Sequence, residues 1–514
     1  MGKTEFDNCR PLDLELSART HEVDQAVDAI YQQTLSNRSA LRLHPEREKK
    51  YLKMLVSNLF ATYETDPSMY VRYSRNNSSY RITRYNSLAI HRDLLVKTAD
   101  LLVESGYATP KIGVHAIHKQ SRIRATEKLI SLLRQYNILR PMVQQMADSE
   151  TVRLRNAEKA LIDYVDTPET VQMRENMRII NLLLEDTLVN LYLPDREIKQ
   201  MITEIRQKED EGSQDFTGLD FYRKRLFRVF NNGDTSFRQG GRFYGGFWQG
   251  IPSHYRKYLR IDNMNTVEID YSAIHLRLAY WDAGLSLPAE DPYTLEGFPQ
   301  ETRNFLKPAL LTMLNAANRR AAISSIKRRI KSGSKKKSKK TLPLPPEVER
   351  VDDIIEAFEA KHAPIKDYLY SGKGIFLQYW DSWIAEKVMV ALAQKRVATL
   401  PLHDSFITAA PNARLLQNAM SSAFTDLTGW KPKMDVKKSL EDLNKELGET
   451  TMWQHYEMKT QNGRFTDKFK KEYSIYVNNK EDWKKIKSKD NIFTYPSIST
   501  IHTISQSNSS FPHT

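Results

Sequence analysis

Apolar residues recur at helical spacing at Leu52, Leu55, Val56 and Leu59, so the charged first 60 residues read as a helical region. From 61 to 135 the pattern changes. "YRITRYNSL" is basic and strand-like, and "HRDLLVKTADLLVESG" reads as an amphipathic helix ending at Gly106. "YATPKIGVHAIHKQSRIRATEKL" then reads as a β-hairpin followed by another helix. Residues 136 to about 220 read as helical and charged, as in "ENMRIINLLLEDTLVNLYL". Two short runs rich in β-formers follow, Thr266 to Ile269 and Val397 to Leu402, and each leads to an aspartate. These are Asp270 in "TVEIDYSAIHLR" and Asp404 in "VATLPLHDSFITAA". Between them "KRRIKSGSKKKSKK" and the Pro-rich "LPLPPE" read as a loop, and beyond about 448 the chain reads as a polar tail. No internal repeat stands out.

With 514 residues and 40% hydrophobic composition, the chain has room for several domains with substantial cores. No run approaches the roughly 20 apolar residues of a membrane span. The charged start "MGKTEFDNCRPLDLEL" lacks the apolar core of a secretory signal, and one cysteine, Cys9, excludes an internal disulfide framework. A cytoplasmic monomer is the expectation. Lys plus Arg outnumber Asp plus Glu by 77 to 63, a net +14 that suits a polyanionic partner. The order of elements over 61–135 resembles a winged-helix DNA-binding domain. That resemblance sets Arg92 and Lys97 on a recognition helix, and Lys119, Arg122 and Arg124 in a wing.

The two aspartates carry the chemistry. Two carboxylates on neighbouring strands grip a pair of divalent ions, and paired ions drive in-line phosphoryl transfer. Arg303 and Lys307 in "RNFLKPALLTMLNA" are four apart and share a face if that segment is helical, as a triphosphate would need.

Four segments in order resemble the family A DNA polymerases and the related phage-type single-subunit RNA polymerases. "GGRFYGGFWQGIP" carries Arg242, Gln249, Ile251 and Pro252, and "DYSAIHLR" carries Asp270, Tyr271, Ser272, Ile274, Leu276 and Arg277. The RxxxK pair is Arg303 and Lys307, and "LPLHDSF" supplies His403 and Asp404. Gln378 in "FLQYWDSWIAEKVM" stands where the family has a Gln-bearing helix. The resemblance spans about residues 235 to 425.

It implies an α+β right-hand polymerase, with the palm at about 235–284 plus 373–447, fingers between, and a thumb-like helical region at 136–234. Asp270 and Asp404 would hold two magnesium (or manganese) ions. Arg303, Lys307, His275, Leu311, Asn315 and Tyr271 would meet the nucleoside triphosphate, with Lys307 also protonating pyrophosphate. Arg242, Gln249, Gln378 and His403 would meet primer and template. The chain departs from the family in several places. Leu311, Asn315 and Ala316 replace an aromatic and a Tyr-Gly pair, and Asn315 stands where the aromatic partner of residue 275 would be. Pro308 would kink or restart the fingers helix, and His275 replaces a glutamate. Ser405 after the HD pair leans toward RNA synthesis, whereas the DYS context leans toward DNA. The favoured expectation is DNA synthesis from dNTPs on a primer-template. The alternatives are a single-subunit RNA polymerase or primase, and a DNA-binding replication factor with a silent palm.

Overall fold

The stripe of Leu52, Leu55, Val56 and Leu59 lies buried on a 21-residue helix, Pro45–Thr65, the spine of the first of two apolar cores. The computed structural model describes residues 8–18, 20–35, 45–111, 120–210, 219–286, 291–332 and 350–437. Around that spine gather the helices His21–Leu35, Arg92–Glu104 and Glu127–Gln135. A four-stranded sheet completes the layer, in the order Cys9–Pro11, Tyr70–Tyr73, Ser121–Ala125, Ala108–Lys111. The first pair is parallel and the other two are antiparallel. One core runs from Leu16 to Val143, so the segments 1–60 and 61–135 share it. The strands Ala108–Lys111 and Ser121–Ala125 form the hairpin, whose tip with Lys119 lies outside the described residues.

One expected strand is a turn instead. Residues 81–91 contain no strand, and the strand of this region is Tyr70–Tyr73. The Asn86 side chain accepts from the Ile90 N–H at 2.8 Å and donates to the Ile90 carbonyl at 3.0 Å, closing a tight loop. Arg84 leaves this loop to meet Asp163 at 2.6 Å and Glu150 at 3.2 Å.

The second core runs from Val152 to Leu427. Residues 136–234 contribute the helices Pro168–Asp186 and Asp195–Asp210, but also short strands that the sequence pattern hid. Three of these join Gly240–Tyr244 in a four-stranded sheet, in the order Gly240–Tyr244, Phe227–Phe230, Val152–Arg155, Leu161–Ile162. With two to five residues each, such strands are too brief to display a two-residue period. The central sheet has six strands. Its order is Thr399–Leu402, Ser405–Ala409, Met264–Tyr271, Leu259–Ile261, Val189–Leu191, with Met434–Lys437 also paired to Met264–Tyr271. The architecture is thus mixed α+β.

Helix Gly374–Gln394 packs against the strand Gly240–Tyr244 and the helices Ala413–Thr428 and Pro168–Asp186, buried on nearly every side. An apolar surface all round is what such a position demands. Gly241 permits the contact: with φ +85°, a Cβ there would meet Ser382 Oγ at 2.6 Å and Phe230 at 2.7 Å.

The Lys-rich stretch is not loop throughout. Lys327 to Ser332 finish the helix Arg319–Ser332, because Ile323, Ile326 and Ile330 recur at helical spacing and pack on the core. Residues 333–349 and the tail from 438 lie outside the described residues. Polar contacts join the two cores. Asp220 is buried between Arg10 at 3.3 Å and Arg140 at 2.6 Å. Burial alone would raise its pKa, yet the two guanidinium groups hold it at about 2. Among the described residues, no helix is long and apolar enough to cross a membrane.

Candidate active site

Strand Met264–Tyr271 sets Asp270 directly opposite Ser405 on one neighbour and Asp435 on the other. Asp404 occupies the two-residue turn between Thr399–Leu402 and Ser405–Ala409, where His403 takes a left-handed φ of +61°. The Tyr271 N–H donates to the Asp404 carbonyl at 3.2 Å, pinning that turn against the end of the Asp270 strand. The two aspartates, 134 positions apart in sequence, therefore meet at one sheet end.

Asp270 is half-buried, and its Oδ1 is enclosed with no hydrogen-bond donor among the described residues. Burial first and the Asp404 charge second raise its pKa to about 7, against the opposing Lys437 and Lys307. An enclosed, partnerless oxygen beside a second carboxylate is a pair whose joint ionisation a divalent cation would relieve. Magnesium suits two carboxylates, since it takes the rest of its shell from waters and substrate phosphates. The residues present fit that ion.

Cations lie near the carboxylates, where the Lys307 charge opposes the rise in the Asp270 pKa. Helix Arg303–Asn315 runs unbroken through Pro308 rather than restarting there. The missing proline N–H orphans only the carbonyl of Asn304, an exposed residue near the helix start. Arg303 and Lys307 share a face: both cations lie over the Tyr293 ring, 5.3 and 5.5 Å from its centroid. Tyr293 is buried, and its hydroxyl pKa is raised by that burial and by the charge of Asp404.

Arg242 is anchored near Asp404. Its Nε donates to Asp381 at 3.0 Å, its Nη2 also reaches Asp381, and His275 Nε2 lies 2.7 Å from the same carboxylate. The carboxylate contact calls for a proton on His275 Nε2. Asp381 is fully enclosed, which alone would raise its pKa, but the bonds from His275 and Arg242 hold it low. His275 therefore packs with Asp381 and Arg242. The Asn315 amide donates to the Leu311 carbonyl at 2.7 Å, and its oxygen leaves no room for a Cβ at Gly374.

The other candidate residues make different contacts. Tyr271 is a core residue: its hydroxyl donates to the Met420 carbonyl at 2.6 Å, and its ring packs against Phe406 and Phe424. Gln249 staples strands, donating to the carbonyls of Phe243 at 2.9 Å and Pro401 at 3.2 Å. Leu311 packs on the second core, and Gln378 is half-buried one turn before Asp381. His403 meets Tyr244 edge to face at 6.0 Å. In the N-terminal unit Lys97 is exposed, Arg92 donates to the Arg75 carbonyl at 2.9 Å, and Arg124 lies over the Tyr70 ring. Arg122 is only 3% exposed and turns inward.

Sequence reasoning missed Asp381, Tyr293, Asp291 and Asp435. Only Asp381 carried a signal, as an isolated acid in the apolar "FLQYWDSWIAEKVM".

The Tyr293 turn is held by a buried histidine. His362 Nε2 donates to the Pro292 carbonyl at 3.0 Å, and Nδ1 accepts from the Tyr280 hydroxyl at 3.1 Å. Burial lowers its pKa, so the folded chain refuses a proton that the unfolded chain binds below about pH 6.5. Stability is then complete above that pH and falls as the pH drops below it. Urea titrations of wild type and His362→Gln through this window should show the steeper acid loss in wild type; equal slopes would refute it.

Compared with known proteins, the chain matches no family model and no curated sequence.

Proposed function

We propose that this chain is a template-directed nucleotidyl transferase that extends a primer with dNTPs, built as a right hand. The observation that carries the reading is the convergence of Asp270 and Asp404 at one sheet end, with Lys307 near enough to oppose the rise in the Asp270 pKa and Arg303 beside Lys307 over Tyr293. Magnesium (or manganese) bound at the carboxylates would supply Lewis acidity for in-line phosphoryl transfer. The chain's own groups do the rest. Arg303 and Lys307 offer their charge to the triphosphate, and the exposed Lys307 ammonium donates a proton to departing pyrophosphate. Asp381 keeps Arg242 extended beside the turn of Asp404, where its charge meets primer or template phosphate. The N-terminal unit adds a strand–helix–hairpin arrangement, with Lys97 exposed on its helix, for holding duplex DNA.

The test is primer extension by the full chain with magnesium, run in parallel with dNTPs and with rNTPs. Extension with dNTPs that stops on chelation is expected. Extension with rNTPs alone would replace this reading with an RNA polymerase or primase. No incorporation from either would leave the chain a DNA-binding factor with a silent palm.

A further inference from the structure

The cations over Tyr293 do not hold themselves in place. Asp291 Oδ2 accepts from Arg303 Nε at 2.6 Å, and its Oδ1 accepts from the Tyr293 N–H at 2.9 Å. The turn that carries Asp291 is fixed independently of Arg303. Lys361 Nζ donates to the carbonyls of Asp291 at 3.0 Å and Thr294 at 2.6 Å, while His362 holds Pro292. The Thr294 hydroxyl also donates to the Asp291 carbonyl at 2.9 Å. The carboxylate is therefore the fixed partner and the guanidinium the one being aimed. Contact through Nε leaves both terminal nitrogens of Arg303 without a hydrogen-bond partner among the described residues, and paired terminal N–H groups are the fork that meets phosphate oxygens.

We infer that Asp291 is a positioning residue for the nucleoside triphosphate: it grips Arg303 by Nε so that the terminal nitrogens face the phosphates beside Lys307. This rests on the reading of the site as a nucleotidyl transferase. The pair is partly solvated, with 30% of the Asp291 side chain and 34% of Arg303 exposed, so its role is aim more than stability. Burial opposes ionisation of Asp291, but Arg303 and the Tyr293 N–H keep its pKa below the ordinary value and the charge in place.

The experiment uses the full chain and two readouts, dNTP kinetics in primer extension and titration with inorganic tripolyphosphate without primer. Asp291→Ala should raise the KM for dNTP and weaken tripolyphosphate about tenfold, with kcat nearly unchanged. Asp291→Asn keeps an oxygen that accepts from Nε and should recover most of both losses. Because Asp291 acts through Arg303, Asp291→Ala added to Arg303→Ala should cost nothing further. Unchanged tripolyphosphate affinity in Asp291→Ala overturns the inference whatever the enzyme does with nucleotides. Tighter binding overturns it too, since Asp291 would then compete with phosphate for Arg303. A wild type that binds tripolyphosphate through this pair yet incorporates no nucleotide would sink the polymerase reading and leave the positioning role standing.

Discussion

Alanine at Asp404 is expected to lower nucleotide incorporation by about three orders of magnitude, and alanine at Asp270 by at least as much. A metal-gripping carboxylate contributes several kcal/mol to the charge developing at the reacting phosphate, and each 1.4 kcal/mol or so is a factor of ten. DNA binding should be nearly untouched, because the carboxylates repel phosphate and the basic groups that attract it remain. Stability supplies a control. Asp404 helps keep Asp270 from ionising, so removing it relieves a repulsion in the folded protein. Asp404→Ala should thus be inactive yet unfold no more easily than wild type. Primer extension alongside a urea titration checks both, and robust extension by either variant would sink the assignment.

Glu386→Ala should cost about 3–5 kcal/mol of folding stability, the usual penalty for leaving a buried charge without its partner. Arg228 is 1% exposed and its Nη1 meets Glu386 at 2.6 Å; Asn176 donates to the other Glu386 oxygen at 3.0 Å. The same guanidinium donates to Gly241 and Ser382, so the network joins the strands Phe227–Phe230 and Gly240–Tyr244 to two helices. Replacing Arg228 and Glu386 together by apolar residues should cost far less, because no lone charge remains. Tryptophan fluorescence suits the measurement, since the first tryptophan is Trp248 and the N-terminal core holds none. A loss below about 1 kcal/mol for Glu386→Ala would mean that water reaches Arg228.

By itself the sequence determined the local pieces of the site. The runs of β-formers before Asp270 and Asp404 follow from propensity, whereas the helix that sets Arg303 one turn before Lys307 runs on through the proline expected to break it. Tertiary structure decided the partners. The same cationic residue type turns inward at Arg122, stays beside the aspartates at Arg242, and is gripped by its Nε at Arg303. Tyr271 and Gln249 match a family pattern in letters, yet the Tyr271 hydroxyl and the Gln249 amide nitrogen donate to main-chain carbonyls 149 and 152 positions away. The segment 80–88 alternates like a strand but folds as a loop, because Arg84 finds carboxylates about 80 residues downstream. Periodicity along a chain reports which side of an element is buried. It carries no record of which distant element covers that side, and the chemistry of this site depends on those distant contacts.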